Sequence, residues 1–187
     1  KIQILNNLNP IDSKKLTPKQ REYFRLKLKK ILTDYKIIEI STQEIDMNVE
    51  KKKLNLLEAN KMVEIINYFN PDIVYIDTPQ VNTKKFTDII KPKLKCNPEI
   101  IAENYAEKYA IVASAAILAK THRDEIILSY KEKFGVIGSG YPSDPITISF
   151  LKKYLKEKGE LPIIARKSWK TSKRLLTSFK SKQQKLL

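Results

Sequence analysis

The chain has 187 residues, of which 42% are hydrophobic, and its formal net charge at pH 7 is +15. Length and hydrophobic fraction suit one globular domain with a small C-terminal extension, and the charge indicates a polyanionic partner, nucleic acid before an anionic membrane surface. A single cysteine, Cys96, excludes an internal disulfide framework and a cysteine-rich zinc site. We therefore expect a cytoplasmic protein without a membrane span.

Apolar periodicity places the regular elements along the chain. Thr17, Pro18 and Gln20 occupy the positions of a capping box with proline at the first helical residue, which predicts the start of a basic amphipathic helix. Helices are predicted at 18–33, 54–69, 83–91, 105–130 and 147–158. Strands are predicted in short β-branched or aromatic runs at 35–40, 72–77 and 99–103. The sequence thus predicts an α/β protein, and its acid-free end, 166–187, is expected to be helical and basic.

Residues 138–145, Gly-Ser-Gly-Tyr-Pro-Ser-Asp-Pro, concentrate glycine and proline between two predicted helices. Glycine permits close backbone approach and proline fixes φ, so the run predicts a rigid, shaped loop. Tyr141 stands in its middle between small residues, and an aromatic ring beside several backbone N–H groups suits a sugar–phosphate ligand. A plain turn between two helices is the alternative.

Acids at strand ends and helix starts are the candidates for holding a divalent metal ion. Asp77 ends a predicted buried strand, at the sheet edge where α/β proteins place functional residues. Glu103 and Glu107 lie where the next strand is followed by an alanine-rich helix. His122 is the single histidine, and a packing or surface role suits it better than catalysis. The sequence lacks a P-loop, a Gly-rich dinucleotide turn and zinc-ligand spacing.

Several segments resemble, in order and in rough spacing, those of type 2 ribonuclease H (ribonuclease HII) of the archaeal type. They are Asp12-Ser13-Lys14-Lys15-Leu16-Thr17, Tyr75-Ile76-Asp77, Ala113-Ser114-Ala115-Ala116-Ile117-Leu118-Ala119-Lys120 with Arg123-Asp124, Gly138 to Pro145, and Trp169-Lys170-Thr171. The resemblance covers nearly the whole chain. The joint occurrence of the Asp-Ser-Lys-Lys-Leu segment and the Gly-Ser-Gly-Tyr-Pro-Ser-Asp-Pro run is its most specific part.

The resemblance implies an RNase H-like fold, with a mixed sheet flanked by helices in residues 1–145 and a basic helical substrate-binding region in 146–187. It implies an endoribonuclease that hydrolyses the RNA strand of RNA/DNA hybrids and ribonucleotides embedded in duplex DNA. It also implies Mg²⁺ or Mn²⁺ as cofactor, with two-metal-ion hydrolysis that leaves 3′-OH and 5′-phosphate ends. A monomer is expected.

The metal site of the family contains four acids, of which two have counterparts here. Asp77 matches the Asp that ends a middle strand, and the register of residues 113–116 places Glu107 where the family has Asp, with Glu103 as the weaker alternative. The extra methylene of Glu displaces the carboxylate by over ~1 Å, which matters for a cation that demands near-octahedral geometry. The other two acids belong to an opening Asp-Glu-Ala-Gly-Arg-Gly segment that this sequence does not contain.

Substrate contacts are also implied by the resemblance. Tyr141 matches the tyrosine that senses the RNA–DNA junction, where its ring can stack on a sugar or base, and the RNA 2′-OH distinguishes RNA from DNA. The residues expected to contact phosphates are Ser13, Lys14, Ser139, Gly140, Lys170, Lys173 and Arg174. Such contacts position a duplex without reading its sequence. Trp169 is expected to close the core, with nucleic-acid contact as the alternative.

Other interpretations stay open at this point. A basic nucleic-acid-binding module without catalysis explains the charge and the loop, although it does not explain an acid at the end of a buried strand. A membrane-surface protein requires an exposed amphipathic helix, for which 172–187 is a weak candidate. The sequence begins with Lys1, so either the native protein extends upstream or the chain is a fragment that does not cleave.

Overall fold

The computed structural model describes Leu5, Ser13 and residues 16–184. In chain order the elements are α1 (Pro18–Ile31), α2 (Thr42–Glu50), α3 (Leu54–Phe69), β1 (Ile73–Asp77), α4 (Thr83–Ile90), β2 (Glu99–Glu103), α5 (Ala110–Phe134), α6 (Pro145–Lys158) and α7 (Lys170–Gln184). Short 3₁₀ turns lie at Lys91–Lys93 and Ala106–Lys108. The chain divides into two compact units, Lys1–Ile38 with Asn55–Arg123 and Glu39–Leu54 with Asp124–Leu187.

The two described strands belong to the first unit and form a parallel pair. Ile73 of β1 faces Glu99 of β2, and the register continues to the last pair, Asp77 and Glu103. Helix α4 makes the crossover between them, which is the connection that parallel strands require. The predicted α/β class is therefore confirmed, and the carboxyl ends of both strands meet at one edge.

Two apolar clusters hold the first unit together. One joins α3, β1 and α4 through buried side chains, of which Phe86 and Ile90 are fully buried. The other joins α1 to the first half of α5, with Leu28 and Ile117 fully buried. Each such side chain contributes about 1.5–3 kcal/mol relative to an exposed one, so these clusters fix the strands against their helices.

The second unit has its own core between α6 and α7. Leu151, Leu155, Leu161 and Leu175 are buried there. Helix α6 is sharply delimited, because Asp144 caps its first turn and Gly159 ends it in the left-handed conformation. The ring of Phe134 lies 6.3 Å from the ring of Phe150, which adds an aromatic contact to this core.

Local signals placed most elements well. The predictions at 54–69 and 99–103 match α3 and β2, and the capping box of Thr17 with Gln20 is formed at the start of α1. The helix predicted at 147–158 begins slightly earlier, at Pro145. The division into an RNase H-like region, 1–145, and a basic substrate-binding region, 146–187, stays a prediction.

Three predictions were inaccurate. The run 35–40 forms no strand, and its Lys36 instead packs on α3, with Nζ 4.3 Å from the ring centre of Tyr68. Helix α5 begins at Ala110 rather than at 105, because Tyr105 adopts φ 59° and ψ 38° and a 3₁₀ turn follows. Strand β1 is only partly buried, since Ile76 alone of its residues is shielded from solvent.

No helix in the described part of the chain, Leu5, Ser13 and 16–184, is both long and apolar enough to span a bilayer.

Candidate functional site

The carboxyl ends of β1 and β2 bring acids from distant parts of the sequence to one place. Asp77 and Glu103 are partners in the strand register, and the ladder continues one step further, where the Thr78 amide donates to the Glu103 carbonyl at 3.0 Å. Glu107 follows in the 3₁₀ turn after β2. We call Asp77, Glu103 and Glu107 the carboxylate edge. Asp77 is exposed, so its oxygens can reach a ligand.

Glu103 is committed to its own neighbours. Its Oε1 accepts a hydrogen bond from the Tyr109 hydroxyl at 2.9 Å, and its Oε2 forms an ion pair with Lys108. These contacts, chiefly the hydrogen bond with Lys108, lower the pKa of the Glu103 carboxyl. The hydrogen bond with Glu103 in turn raises the pKa of Lys108. Hydrogen bonding to Glu103, followed by burial, raises the pKa of Tyr109. The ring of Tyr109 also lies 4.8 Å from that of Tyr75 on β1.

The segment between β2 and Glu107 is tied to the loop after β1. The side-chain amide of Asn104 donates to the carbonyls of Thr78 and Gln80, each at 2.9 Å. The backbone amide of Ala106 donates to Asp77 Oδ1 at 3.2 Å. We call residues 104–107 the 104–107 turn. Its hydrogen bonds fix the Asp77 carboxylate relative to the chain that carries Glu107.

Glu107 is half-buried and contacts a residue far away in sequence. Ser13 is fully buried, and its hydroxyl donates to Glu107 Oε1 at 3.3 Å. The structure thus places Ser13, a predicted phosphate contact, against the second candidate metal ligand rather than on the surface. Lys14, the neighbouring candidate, lies outside the described residues. Of the two alternatives after β2, Glu103 is paired with a cation and Glu107 accepts a hydrogen bond from a hydroxyl, and the choice of Glu107 over Glu103 as a metal ligand stays a prediction.

The donor chemistry of this edge suits a hard divalent cation. Carboxylate oxygens are the ligands that Mg²⁺ prefers, and Mg²⁺ is commonly held by one or two carboxylates with water and substrate phosphates completing its shell. Asp77 and Glu107 can supply those two carboxylates. Within Leu5, Ser13 and 16–184, no group of three or more His, Cys, Asp or Glu side chains is assembled for a metal. The carboxylate edge therefore suits a cation whose remaining ligands are water and substrate oxygens.

In the second unit, residues 138–145 (the 138–145 loop) form a turn organised around one acid. Asp144 Oδ2 accepts hydrogen bonds from the Ser139 amide at 2.6 Å, the Ser139 hydroxyl at 2.7 Å and the Thr147 hydroxyl at 3.1 Å. Its Oδ1 accepts from the Ile146 amide at 2.9 Å. These bonds, that from the Ser139 amide foremost, hold the pKa of Asp144 well below its ordinary value. Asp144 is thus a structural acid that shapes the loop.

The interior of this loop has room only for glycine at position 138. Gly138 has φ +72°, and a Cβ there would lie 2.5 Å from Asp144 Oδ2 and 2.7 Å from the Thr147 backbone nitrogen. The amide of Gly140 donates to the Thr147 hydroxyl at 3.0 Å. The Ser139 and Gly140 amides donate within the loop, and the Tyr141 side chain, which is 45% exposed, is the exposed aromatic group of the loop.

The basic end of the chain continues from this unit into α7. Lys170 and Lys173 are exposed on its first turn, which contains no acid. Trp169, just before the helix, is half-buried, and the guanidinium of Arg166 lies 5.2 Å from its ring centre. The hydroxyl of Thr171 lies 3.4 Å from the Pro142 carbonyl, which joins the start of α7 to the 138–145 loop.

Sequence reasoning missed several residues that shape these sites. Asn104 had no motif to identify it, because its partners lie 24 and 26 residues away. The Lys108–Glu103–Tyr109 group was equally hidden, although a Lys and a Tyr shortly after a strand-end acid were a possible signal. His122, as expected, lies half-buried on α5.

Comparison with known proteins identifies the family to which the chain belongs. The profile of the family described as ribonuclease HII matches residues 1–172. A ribonuclease HII of Thermococcus sibiricus is 44% identical over 178 residues, covering 94% of this chain and 79% of the relative. The crystal structure of the ribonuclease H2 from Pyrococcus horikoshii OT3 has a TM-score of 0.87 at 40% identity, covering 96% of this chain and 86% of that chain.

A second solved structure, that of the PCNA:RNase HII complex from Archaeoglobus fulgidus, contains a chain with a TM-score of 0.82 at 32% identity. The match covers 94% of this chain and 84% of that one. These neighbours confirm the RNase H-like α/β fold that the sequence indicates. The chain belongs to the ribonuclease HII family.

Proposed function

We propose that the protein is a metal-dependent endoribonuclease that cleaves RNA in RNA/DNA hybrids and ribonucleotides embedded in duplex DNA, by two-metal-ion hydrolysis giving 3′-OH and 5′-phosphate ends. Membership of the ribonuclease HII family supports the activity. The observation that supports the site is the hydrogen bond from the Ala106 amide to Asp77. It links the Asp77 carboxylate to the 104–107 turn, which carries Glu107. The net charge of +15 suits a polyanionic duplex.

Asp77 and Glu107 would hold Mg²⁺ or Mn²⁺, which when bound supplies Lewis acidity to the phosphodiester and a more acidic water. The Ala106 amide orients Asp77 through its 3.2 Å hydrogen bond, and the Ser13 hydroxyl orients Glu107 at 3.3 Å. Lys108 keeps Glu103 paired, which limits the negative charge that repels a phosphate at this edge.

Substrate positioning is assigned to the second unit. We propose that Tyr141 stacks on the sugar or base at the RNA–DNA junction. In the first unit, Lys14 is proposed to contact a phosphate. Lys170 and Lys173 lie where cations oppose the positive end of the α7 dipole, at a cost of roughly 0.3–1 kcal/mol each. Basic residues at such a position destabilise the helix slightly but attract an anionic ligand. We therefore propose that region 146–187 binds the duplex.

The test is cleavage of a DNA duplex that carries one ribonucleotide, with Mg²⁺, Mn²⁺ or EDTA. Cleavage on the 5′ side of the ribonucleotide is expected with a metal and not with EDTA. Asp77→Asn is expected to reduce the rate at least about 100-fold, since a metal ligand is lost. Asp72→Asn is the matched control, because Asp72 is an exposed acid just before the other end of β1, and its rate should stay within about twofold.

Duplex binding without cleavage under every metal condition would contradict the nuclease and favour a non-catalytic basic nucleic-acid-binding module. Equal losses in Asp77→Asn and Asp72→Asn would contradict the assignment of the carboxylate edge.

A further inference from the structure

The 104–107 turn exposes one large aromatic side chain beside the carboxylate edge. Tyr105 is 86% exposed, the most open tyrosine among the exposed large apolar residues of the described chain. Within the described residues it makes no hydrogen bond and no ring contact. Its side chain therefore contributes to no core cluster and to no polar network of the folded protein.

The backbone at Tyr105 is unfavourable for this residue type. Its φ of 59° lies in the left-handed region, which asparagine or glycine adopts at lower cost than a bulky aromatic residue. Strained positions of this kind persist where the surrounding structure dictates them, and they concentrate at functional sites. Neither burial nor local backbone preference accounts for a tyrosine here.

The neighbours on both sides of Tyr105 are anchored. Asn104 donates to the carbonyls of Thr78 and Gln80 at 2.9 Å, and the Ala106 amide donates to Asp77 Oδ1 at 3.2 Å. Ala106 itself is 1% exposed. The backbone that carries the ring is therefore rigid, and it lies one residue from an amide that contacts the proposed catalytic carboxylate.

We propose that Tyr105 is a further substrate-contacting residue, whose ring stacks on a base or sugar of the nucleic-acid strand next to the scissile phosphate. The proposal rests on the proposed function, because the phosphodiester must lie at the carboxylate edge for Asp77 to act on it. Any nucleotide bound there brings its sugar and base close to the exposed ring. Stacking on tyrosine tolerates every base, which suits a nuclease that does not read sequence.

The experiment measures binding separately from cleavage. Fluorescence anisotropy with Ca²⁺ in place of Mg²⁺ gives the Kd of a labelled DNA duplex with one ribonucleotide for the wild type, Tyr105→Gly, Tyr105→Asn and Tyr105→Phe. The Gly and Asn variants adopt a positive φ readily, so both should fold. We expect them to raise Kd about tenfold, the typical effect of losing one stacked base, and Tyr105→Phe to stay within about twofold of wild type.

Tyr68→Ala is the matched control. Tyr68 is 57% exposed in the same unit, but it lies at the end of α3, before the start of β1 and thus away from the strands' carboxyl ends. Its Kd should not change. Melting temperatures of all variants exclude unfolding as the cause of weaker binding.

Wild-type affinity in both Tyr105→Gly and Tyr105→Asn would overturn the proposal, as would an equal loss in Tyr68→Ala. Cleavage is scored in a parallel reaction with metal. A wild type that binds but never cleaves contradicts the proposed nuclease, whereas active variants with unchanged Kd contradict only the role of Tyr105.

Discussion

The carboxylate edge and the 138–145 loop each contain an aspartate near a strongly hydrogen-bonded turn, but the two acids have opposite surroundings. Asp144 accepts hydrogen bonds from two backbone amides and two hydroxyls. Asp77 accepts a hydrogen bond from the Ala106 amide at 3.2 Å, and the residue is exposed. Saturation by internal donors turns Asp144 into part of the scaffold, while Asp77 retains acceptor capacity for a ligand.

The two glutamates after β2 also have different neighbours. Glu103 is paired with Lys108 and Tyr109, whereas Glu107 meets the buried Ser13 hydroxyl. An acid near a strand end is therefore insufficient to identify a ligand. The number of donors that the fold directs at the acid decides whether its charge remains available.

The largest effect on stability is expected at Gly138. In Gly138→Ala the new methyl would meet Asp144 Oδ2 at 2.5 Å and the Thr147 nitrogen at 2.7 Å, in addition to the strain of φ +72°. We expect a loss of about 3 kcal/mol in the free energy of unfolding, measured by urea denaturation.

Gly135→Ala is the matched control for this change. Gly135 has φ +76° but no atom within 4 Å of the added Cβ, so only the backbone cost of about 1 kcal/mol applies. If both variants lost the same stability, close packing around Asp144 would not explain Gly138.

A smaller effect is expected from the charge of Asp144. Its pKa is held below the ordinary value of 3.8, so the stability from its hydrogen bonds is present above about pH 3.8 and is lost as the pH falls through the folded-state pKa. Asp144→Asn should be less stable than wild type at pH 6, and the difference should shrink toward pH 2. Urea denaturation across this range measures it, and a difference that is constant with pH would refute the scaffold role.

The smallest effect on stability is expected at Asn104, whose side chain holds the loop that follows Asp77. Asn104→Ala loses two hydrogen bonds to the loop after β1, which costs about 1–2 kcal/mol. Because those bonds fix the loop that follows Asp77, kcat for duplex cleavage should fall about tenfold.

Asn67→Ala provides the control in the same unit. The Asn67 side chain also bridges backbone groups, donating to the Lys93 carbonyl at 3.3 Å and accepting from the Lys95 amide at 2.8 Å. Its loss should cost similar stability and leave kcat unchanged. Equal kcat values in the two variants would show that Asn104 is purely structural.

Sequence reasoning succeeded where the signal is local. The capping box at Thr17, the apolar period of 54–69 and the β-branched run before Asp77 each depend on residues within one element. It failed at 35–40, because a strand needs a ladder partner and this run forms none, while its Lys36 packs on Tyr68 of α3. It also missed the late start of α5, which the left-handed Tyr105 delays.

The sequence by itself determined the fold class, the family and the position of Asp77 at a strand end, since periodicity, caps and motifs depend on residues that are close in sequence. Only the tertiary structure decided which acids remain available. Ser13 reaches Glu107 across 94 residues and Asn104 reaches Thr78 across 26, and no local pattern encodes such contacts. Hydrogen-bond satisfaction depends on where the folded chain places donors, so the roles of Glu103 and Asp144 emerge only once the strands and helices have packed.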